Sequence, residues 1–353
     1  MNRSKLLLRN YCMKTKRKIN PRERIHLSPA KIIKRAMLII GIAIGALLLI
    51  ILLNWGVWEL IPPISTHQLA RKLGRTGQFI TIQGIDTYYE TQGTGSPLIL
   101  VPAGGDSTDT WRYNIPILSK RYKIYTLDLP GSGLSGKPST FPYTHKAYAE
   151  FVKAFADKMG ITKTAIGGQS LGGAVALAFS LDYPNETSAL ILLDSGGYHK
   201  EGSSNILDYA ENSIVNDVLM SFSSYPLVVK SFFPVIYYDP KPFMNDAKLV
   251  SEACDLNRTP NSRAALYWMQ KALHWDYALP DVNRIKNVSV PTLILWGKND
   301  TVVSLADANR FHQDIKDSQL VIIDKAGHMV HQEQPDEVNS AILSFLGALP
   351  RFM

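Results

Sequence analysis

The chain opens with polar, basic positions and then loses them altogether. Ala36 to Leu53 is an unbroken apolar run, and Trp55, Val57 and Trp58 extend it to about 23 residues, 36–58. At ~1.5 Å per residue, a helix of that length crosses a hydrocarbon core of ~30 Å, so the run predicts one transmembrane helix. Its tryptophans suit the far interface, where an indole has one apolar and one wet side. A cleaved signal peptide would have a shorter apolar region and a small-x-small site, which NWGVWELIPP does not offer. Ile61-Pro62-Pro63 ends the helix, and residues 59–77 read as a stalk.

From residue 78 the pattern alternates. QFITIQG and DTYYETQG predict a hairpin, and PLILVPA and YKIYTLDLP predict buried strands. THKAYAEFVKAFADKMG has helical spacing and a terminal glycine. Strand TAIGGQ, helix LGGAVALAFSLDY and strands ALILLDS and PTLILWG follow, then a helix near 305–315, strand QLVIIDKA and a last helix from Gln334 to Leu346. Apolar strands interleaved with helices predict a mostly parallel sheet covered on both faces, over residues 78–349. Residues from about 197 to 280 interrupt the alternation with short helical segments. Thirteen of the 34 aromatics fall there, which predicts a helical lid whose aromatics serve its own packing, an apolar inner face, or both.

Charge changes the picture only at the front. The net charge of +8 suggests nucleic acid until it is divided. Residues 1–35 hold 12 Lys/Arg and one acid, a net of +11, which leaves −3 for the rest. This basic tail lacks any nucleic-acid module, so anionic lipid and topology control explain it, and no nucleic-acid partner is expected. The positive-inside bias places the N-terminus in the cytoplasm and the body outside, with membrane lipid as the anchor's partner. Two cysteines, Cys12 and Cys254, fall on opposite sides and exclude a disulfide scaffold. Four glycosylation tripeptides occur, and the one at Asn299 would put a glycan beside Asp300, which favours a bacterial host.

Candidate chemistry lies at strand ends, where parallel sheets present reacting groups. Gly168-Gln169-Ser170-Leu171-Gly172 is GxSxG between a strand and a helix, the context of a nucleophile elbow. A serine needs a base, and the base needs a carboxylate to orient it. His328 lies just beyond the last strand, with His331 as its rival; His26, His67, His145, His199, His274 and His312 fall in the tail, stalk, lid or helices. Asp300 follows strand PTLILWG directly, and Asp194 ends the preceding strand as the alternative acid; Asp324 sits too close to His328 along the chain. An oxyanion hole needs two backbone donors, for which Leu171 and Gly104 are the candidates, with Gly105 beside the latter.

Together GQSLGG, DLPGSGLSGKP, LILWGKND and AGHMVHQEQP resemble the α/β-hydrolase superfamily, in its lidded esterase-like branch, over about residues 78–349. The resemblance implies an eight-stranded sheet, a triad of Ser170, Asp300 and His328, and no metal or cofactor. It implies structural roles for Asp128 and Ser135. Where many members have His-Gly this chain has Pro102-Ala103, which bears on the oxyanion loop. A serine nucleophile disfavours dehalogenase and epoxide-hydrolase chemistry. The expected activity is a membrane-anchored carboxylesterase or lipase acting on a small acyl substrate. Rivals on the same triad are a carbon–carbon bond hydrolase, a perhydrolase and an amidase or peptidase; the last would draw on a lid carboxylate among Glu201, Glu211 and Glu252. The rival of another class is a non-enzymatic receptor or binding module.

Overall fold

The computed structural model describes residues 29–60, 62–198, 222–273, 279 and 281–350. The basic tail up to residue 28 and the lid stretches 199–221 and 274–278 lie outside the described residues, and with them His26, His199, His274, Cys12, Glu201 and Glu211.

The apolar run forms helix α1 (Pro29–Leu60). It starts before the predicted residue 36 because Pro29 suits a first helical position and good helix formers follow it. Its large apolar side chains from Ile32 to Ile50, and Leu53, are exposed. Among the described residues it is the one candidate membrane-spanning helix.

Residues 66–72, within the predicted stalk, are helical. Ser65 caps helix α2 (Thr66–Lys72) by accepting from the Gln68 N–H at 3.3 Å. Leu69 is fully buried against Tyr88 and Leu134, so α2 belongs to the globular body.

Eight strands follow: β1 (Gln78–Ile82), β2 (Ile85–Gln92), β3 (Ser96–Val101), β4 (Tyr122–Leu127), β5 (Thr164–Gln169), β6 (Thr187–Leu193), β7 (Thr292–Gly297) and β8 (Ser318–Ile323). They form one sheet in the order β1-β2-β4-β3-β5-β6-β7-β8. β1 and β2 are antiparallel to their neighbours, and the rest are parallel. Helices α3 (Ile115–Leu118), α4 (His145–Lys158) and α5 (Leu171–Asp182) connect the first strands. The lid contributes α6 (Pro226–Ile236), α7 (Lys241–Asn245), α8 (Ala247–Leu256) and α9 (Ser262–Leu273). The chain closes with α10 (Leu305–Asp314), α11 (Val330–Glu333) and α12 (Pro335–Gly347).

Side chains alternate across a strand, so each apolar strand feeds two cores. Ile99 and Val101 join one with Phe151, Phe155 and Phe179. Leu98 and Leu100 join the other with Trp111, Ile342 and Phe345. The order of strands also explains where the site sits. From β3 the chain crosses to β4 on one side, then returns to β5 on the other. Loops leaving β3 and β5 therefore diverge, and a crevice opens at their carboxyl ends, with Val101 beside Gly168 in the register.

Candidate active site

Ser170 follows β5 with φ 55° and ψ −119°, a backbone region that costs a non-glycine residue ~1–3 kcal/mol. Three backbone bonds hold it there: its N–H donates to Leu193 O, and its carbonyl accepts from Ala174 and Gly196. The flanking glycines are dictated by space. A Cβ on Gly168 would run into the Gly172 carbonyl, and one on Gly172 into the carbonyls of Val101 and Pro102. Gly172 thus lets the loop after β3 lie against the elbow.

That loop carries the second candidate donor. The Gly105 N–H is committed to Ser132 Oγ at 3.0 Å, while the Gly104 N–H has no acceptor among the described residues. The Leu171 N–H opens α5, where no intrahelical acceptor exists. The Pro102 carbonyl makes a close approach to Gly172.

His328 and Asp300 meet. Asp300 Oδ2 accepts from His328 Nδ1 at 2.8 Å, and its Oδ1 accepts the Val302 and Val303 N–H groups at 2.7 and 3.0 Å. A carboxylate only accepts, so Nδ1 carries the hydrogen and Nε2 keeps its lone pair. Gln169 Nε2 donates to the His328 carbonyl at 2.6 Å, which ties the histidine loop to the residue before Ser170. Ser170 and His328 are both buried.

Asp194 has another role. Its two oxygens accept the Gly297 and Val330 N–H groups at 2.8 and 3.2 Å, joining the ends of β6 and β7 to α11. Burial, then the Asp300 charge, push its carboxyl well above the usual range. His331 is fully buried beside Trp111, with Nε2 on Thr110 Oγ1 at 2.8 Å, and burial pushes its imidazole down to about 3. It is therefore a neutral packing residue. Its depressed value stabilises the fold above the ordinary 6.5, and that contribution is lost as pH falls toward 3, because the unfolded chain takes up the proton first. Between pH 6.5 and 4.5, wild type is expected to lose about 2 kcal/mol more stability than His331→Gln, measured by chemical denaturation of the full chain in detergent.

The loop 128–138 is structural. Asp128 accepts the Thr108 and Leu134 N–H groups, both at 2.6 Å, and Ser135 Oγ donates to the Asp128 carbonyl. Burial moves Asp128 up to about 7 and Lys137 down to about 8.

A family profile described as the alpha/beta hydrolase fold matches residues 96–335. The chain belongs to the α/β-hydrolase family. This hydrolase is 29% identical over 282 residues to a 2-hydroxy-6-oxo-6-(2'-aminophenyl)hexa-2,4-dienoic acid hydrolase of Metapseudomonas resinovorans, covering 76% of this chain and 90% of that one. A serine hydrolase involved in carbazole degradation superimposes with a TM-score of 0.64 at 28% identity, over 77% of this chain and 98% of its own. A membrane phospholipase A, described as a bacterial virulence factor, shares the fold with a TM-score of 0.68 at 22% identity, over 91% of this chain and 99% of its own.

Several groups at the hydrolase's site carry no sequence signal. Glu333 Oε1 accepts the Tyr238 and Asp239 N–H groups at 2.7 and 3.1 Å, and its Oε2 accepts that of Gly327. With the His328 N–H on the Ile236 carbonyl at 2.8 Å, these bonds fasten the base of the lid to the histidine loop. Gly327 is required because the lid backbone passes where its Cβ would be. Arg75 pairs with Asp109 and, at 3.0 Å, with Glu252; Arg112 joins Asp109 at 2.9 Å and Gln332 at 3.2 Å. Glu252 is thereby engaged and offers no free carboxylate to a substrate amine. The lid aromatics divide: Phe233 and Tyr237 pack among Val229, Val250 and Met329, while Phe232 and Tyr238 are exposed.

Proposed function

We propose that this hydrolase is a membrane-anchored serine esterase that works through an acyl-enzyme. The observation that carries the reading is the buried Asp300–His328 hydrogen bond, tied through Gln169 to a serine in a strained strand-to-helix turn. Ser170 Oγ attacks the acyl carbon as its proton passes to His328 Nε2. Asp300 orients the imidazolium and stabilises its charge. The Leu171 and Gly104 N–H groups receive the developing oxyanion. His328 then protonates the departing alkoxide. Water, deprotonated by the same imidazole, attacks the acyl-enzyme, and Oγ recovers its proton.

The anchor is α1, with the basic tail in the cytoplasm and the catalytic body on the far side of the membrane. The length and apolarity of α1 and the tail's charge excess support that topology. The host is a bacterium on the glycosylation argument, and the substrate is a small acyl ester.

A second reading is hydrolysis of a carbon–carbon bond. The Metapseudomonas relative favours it, since a 2-hydroxy-6-oxo-dienoic acid contains no ester to cleave. The full chain in detergent is expected to take up a fluorophosphonate at Ser170, located by peptide mass spectrometry, and to turn over short p-nitrophenyl esters at least tenfold faster than a 2-hydroxy-6-oxo-dienoate. The opposite ranking selects the second reading, and no labelling of Ser170 removes both.

A further inference from the structure

The last turn of a helix has carbonyls with no donor inside the helix, and α6 ends beside the histidine loop. The Tyr237 N–H donates to the Phe233 carbonyl and closes α6, which leaves the carbonyls of Val235 and Ile236 to find other partners. Thr301 Oγ1 donates to the first at 2.8 Å. The His328 N–H donates to the second, also at 2.8 Å. The loop of the acid and the loop of the base therefore bond to consecutive residues of the lid. The next three residues continue the pattern. Tyr237 Oη donates to Gln332 Oε1 at 3.1 Å. Glu333 Oε1 accepts the N–H groups of Tyr238 and Asp239, while its Oε2 accepts that of Gly327 at 2.6 Å.

The two loops also touch each other directly, but at their roots. The Asn299 N–H donates to the Ala326 carbonyl at 2.9 Å, and a Cβ on Gly297 would strike the carbonyls of Ala326 and Gly327. Asp300 and His328 stand beyond that junction. From the sheet, Gln169 holds the His328 carbonyl. The partners of the His328 N–H and of the side chain next to Asp300 come from the lid. Glu333 closes the arrangement. A carboxylate accepts on both oxygens, so one side chain holds the lid and the histidine loop together. An amide in its place has one acceptor oxygen, and its NH₂ would face either Gly327 or the Tyr238–Asp239 pair, each of which also presents N–H.

We infer that lid residues 235–239 are a strap that sets the Asp300–His328 geometry, with Glu333 and Thr301 as positioning residues, so that a lid displaced at this end leaves the triad unassembled. The inference rests on the triad reading above, in its ester or its carbon–carbon form. It goes further by giving the lid a part in the chemistry as well as in covering the site. Substrate entry then has to use another part of the lid, because lifting 235–239 would draw the base away from its acid.

The test uses the full chain in detergent, labelled with nitrogen-15 at histidine. A proton held between Nδ1 and a carboxylate resonates far downfield and exchanges slowly. Wild type is expected to show this signal, assigned to His328 by its absence from His328→Gln. Glu333→Gln is expected to broaden or abolish it. The same variant should lower kcat on a short p-nitrophenyl ester about 10- to 100-fold, the scale of a displacement of about 1 Å, with KM within about twofold of wild type. Thr301→Val should act in the same direction but less, since its bond lies at the surface, and Thr301→Ser should restore both readouts.

A folded Glu333→Gln chain that keeps the wild-type signal would overturn the inference, even with a lower thermal midpoint, because Glu333 would then serve stability alone. If Glu333→Gln does not fold, the Thr301 pair decides, and equal signal and kcat in its valine and serine forms would overturn the strap. Absence of the signal from wild type would overturn it as well. The signal needs no turnover. A chain that neither hydrolyses esters nor takes up a fluorophosphonate at Ser170 ends the catalytic reading, while the dependence of the signal on residues 301 and 333 still decides the strap.

Discussion

Ser170→Ala is expected to lower kcat on a short p-nitrophenyl ester by roughly 10⁵-fold or more, the scale at which a cooperating triad fails when its nucleophile goes. The acyl-enzyme route is lost because the residues that follow Ser170 in the turn, Leu171, Gly172 and Gly173, carry no hydroxyl. Alanine keeps the backbone bonds to Leu193, Ala174 and Gly196, so the thermal midpoint should stay close to that of wild type. Steady-state kinetics, fluorophosphonate labelling and a melting curve on one preparation check all three. Retained turnover with a normal midpoint would place the chemistry elsewhere.

Asp300→Asn should cost about 10⁴-fold in kcat, for a reason visible in the hydrogen bonds. Val302 and Val303 donate N–H groups to Oδ1, so the asparagine oxygen must stay on that side. Its NH₂ then faces His328 Nδ1. The imidazole responds by moving its hydrogen to Nε2, and the base that Ser170 needs is gone. Asp194→Asn is the control. Its two acceptors serve Gly297 and Val330, so the amide leaves one N–H facing an NH₂. The expected outcome is about 1–3 kcal/mol of lost stability with kcat within tenfold of wild type. If the two variants exchanged these phenotypes, Asp194 would be the acid of the triad.

Much of the site could be read along the chain, and the reasons are local. Gly168 and Gly172 stand in the sequence because backbone carbonyls occupy the space of their missing side chains. His328 and Asp300 could be named because each lies just past an apolar strand, and strands of this kind announce themselves by composition. The choice between Asp300 and Asp194 was narrower, since both end strands. It depended on which carboxylate faces Nδ1, a matter of turn geometry. Gly104 and Gly105 look alike along the chain, and only the structure shows that Ser132 accepts the N–H of Gly105.

Other features had no local trace. Glu333 serves backbone groups of the lid that lie 94 and 95 residues away, and any residue type can supply an N–H. Residues 66–72 read as part of a stalk because one buried leucine in seven residues makes a weak amphipathic pattern. Their helix is held by what it packs against.

By itself, then, the sequence determined the apolar span, the alternation that yields a mostly parallel sheet and the residue types at its strand ends, because these follow from hydrophobic period and steric exclusion within a few residues. Tertiary structure alone decided which acid meets the imidazole and how the lid is fastened to the histidine loop. Those outcomes depend on distances between segments far apart in the chain, and only the packed sheet and its helices set them.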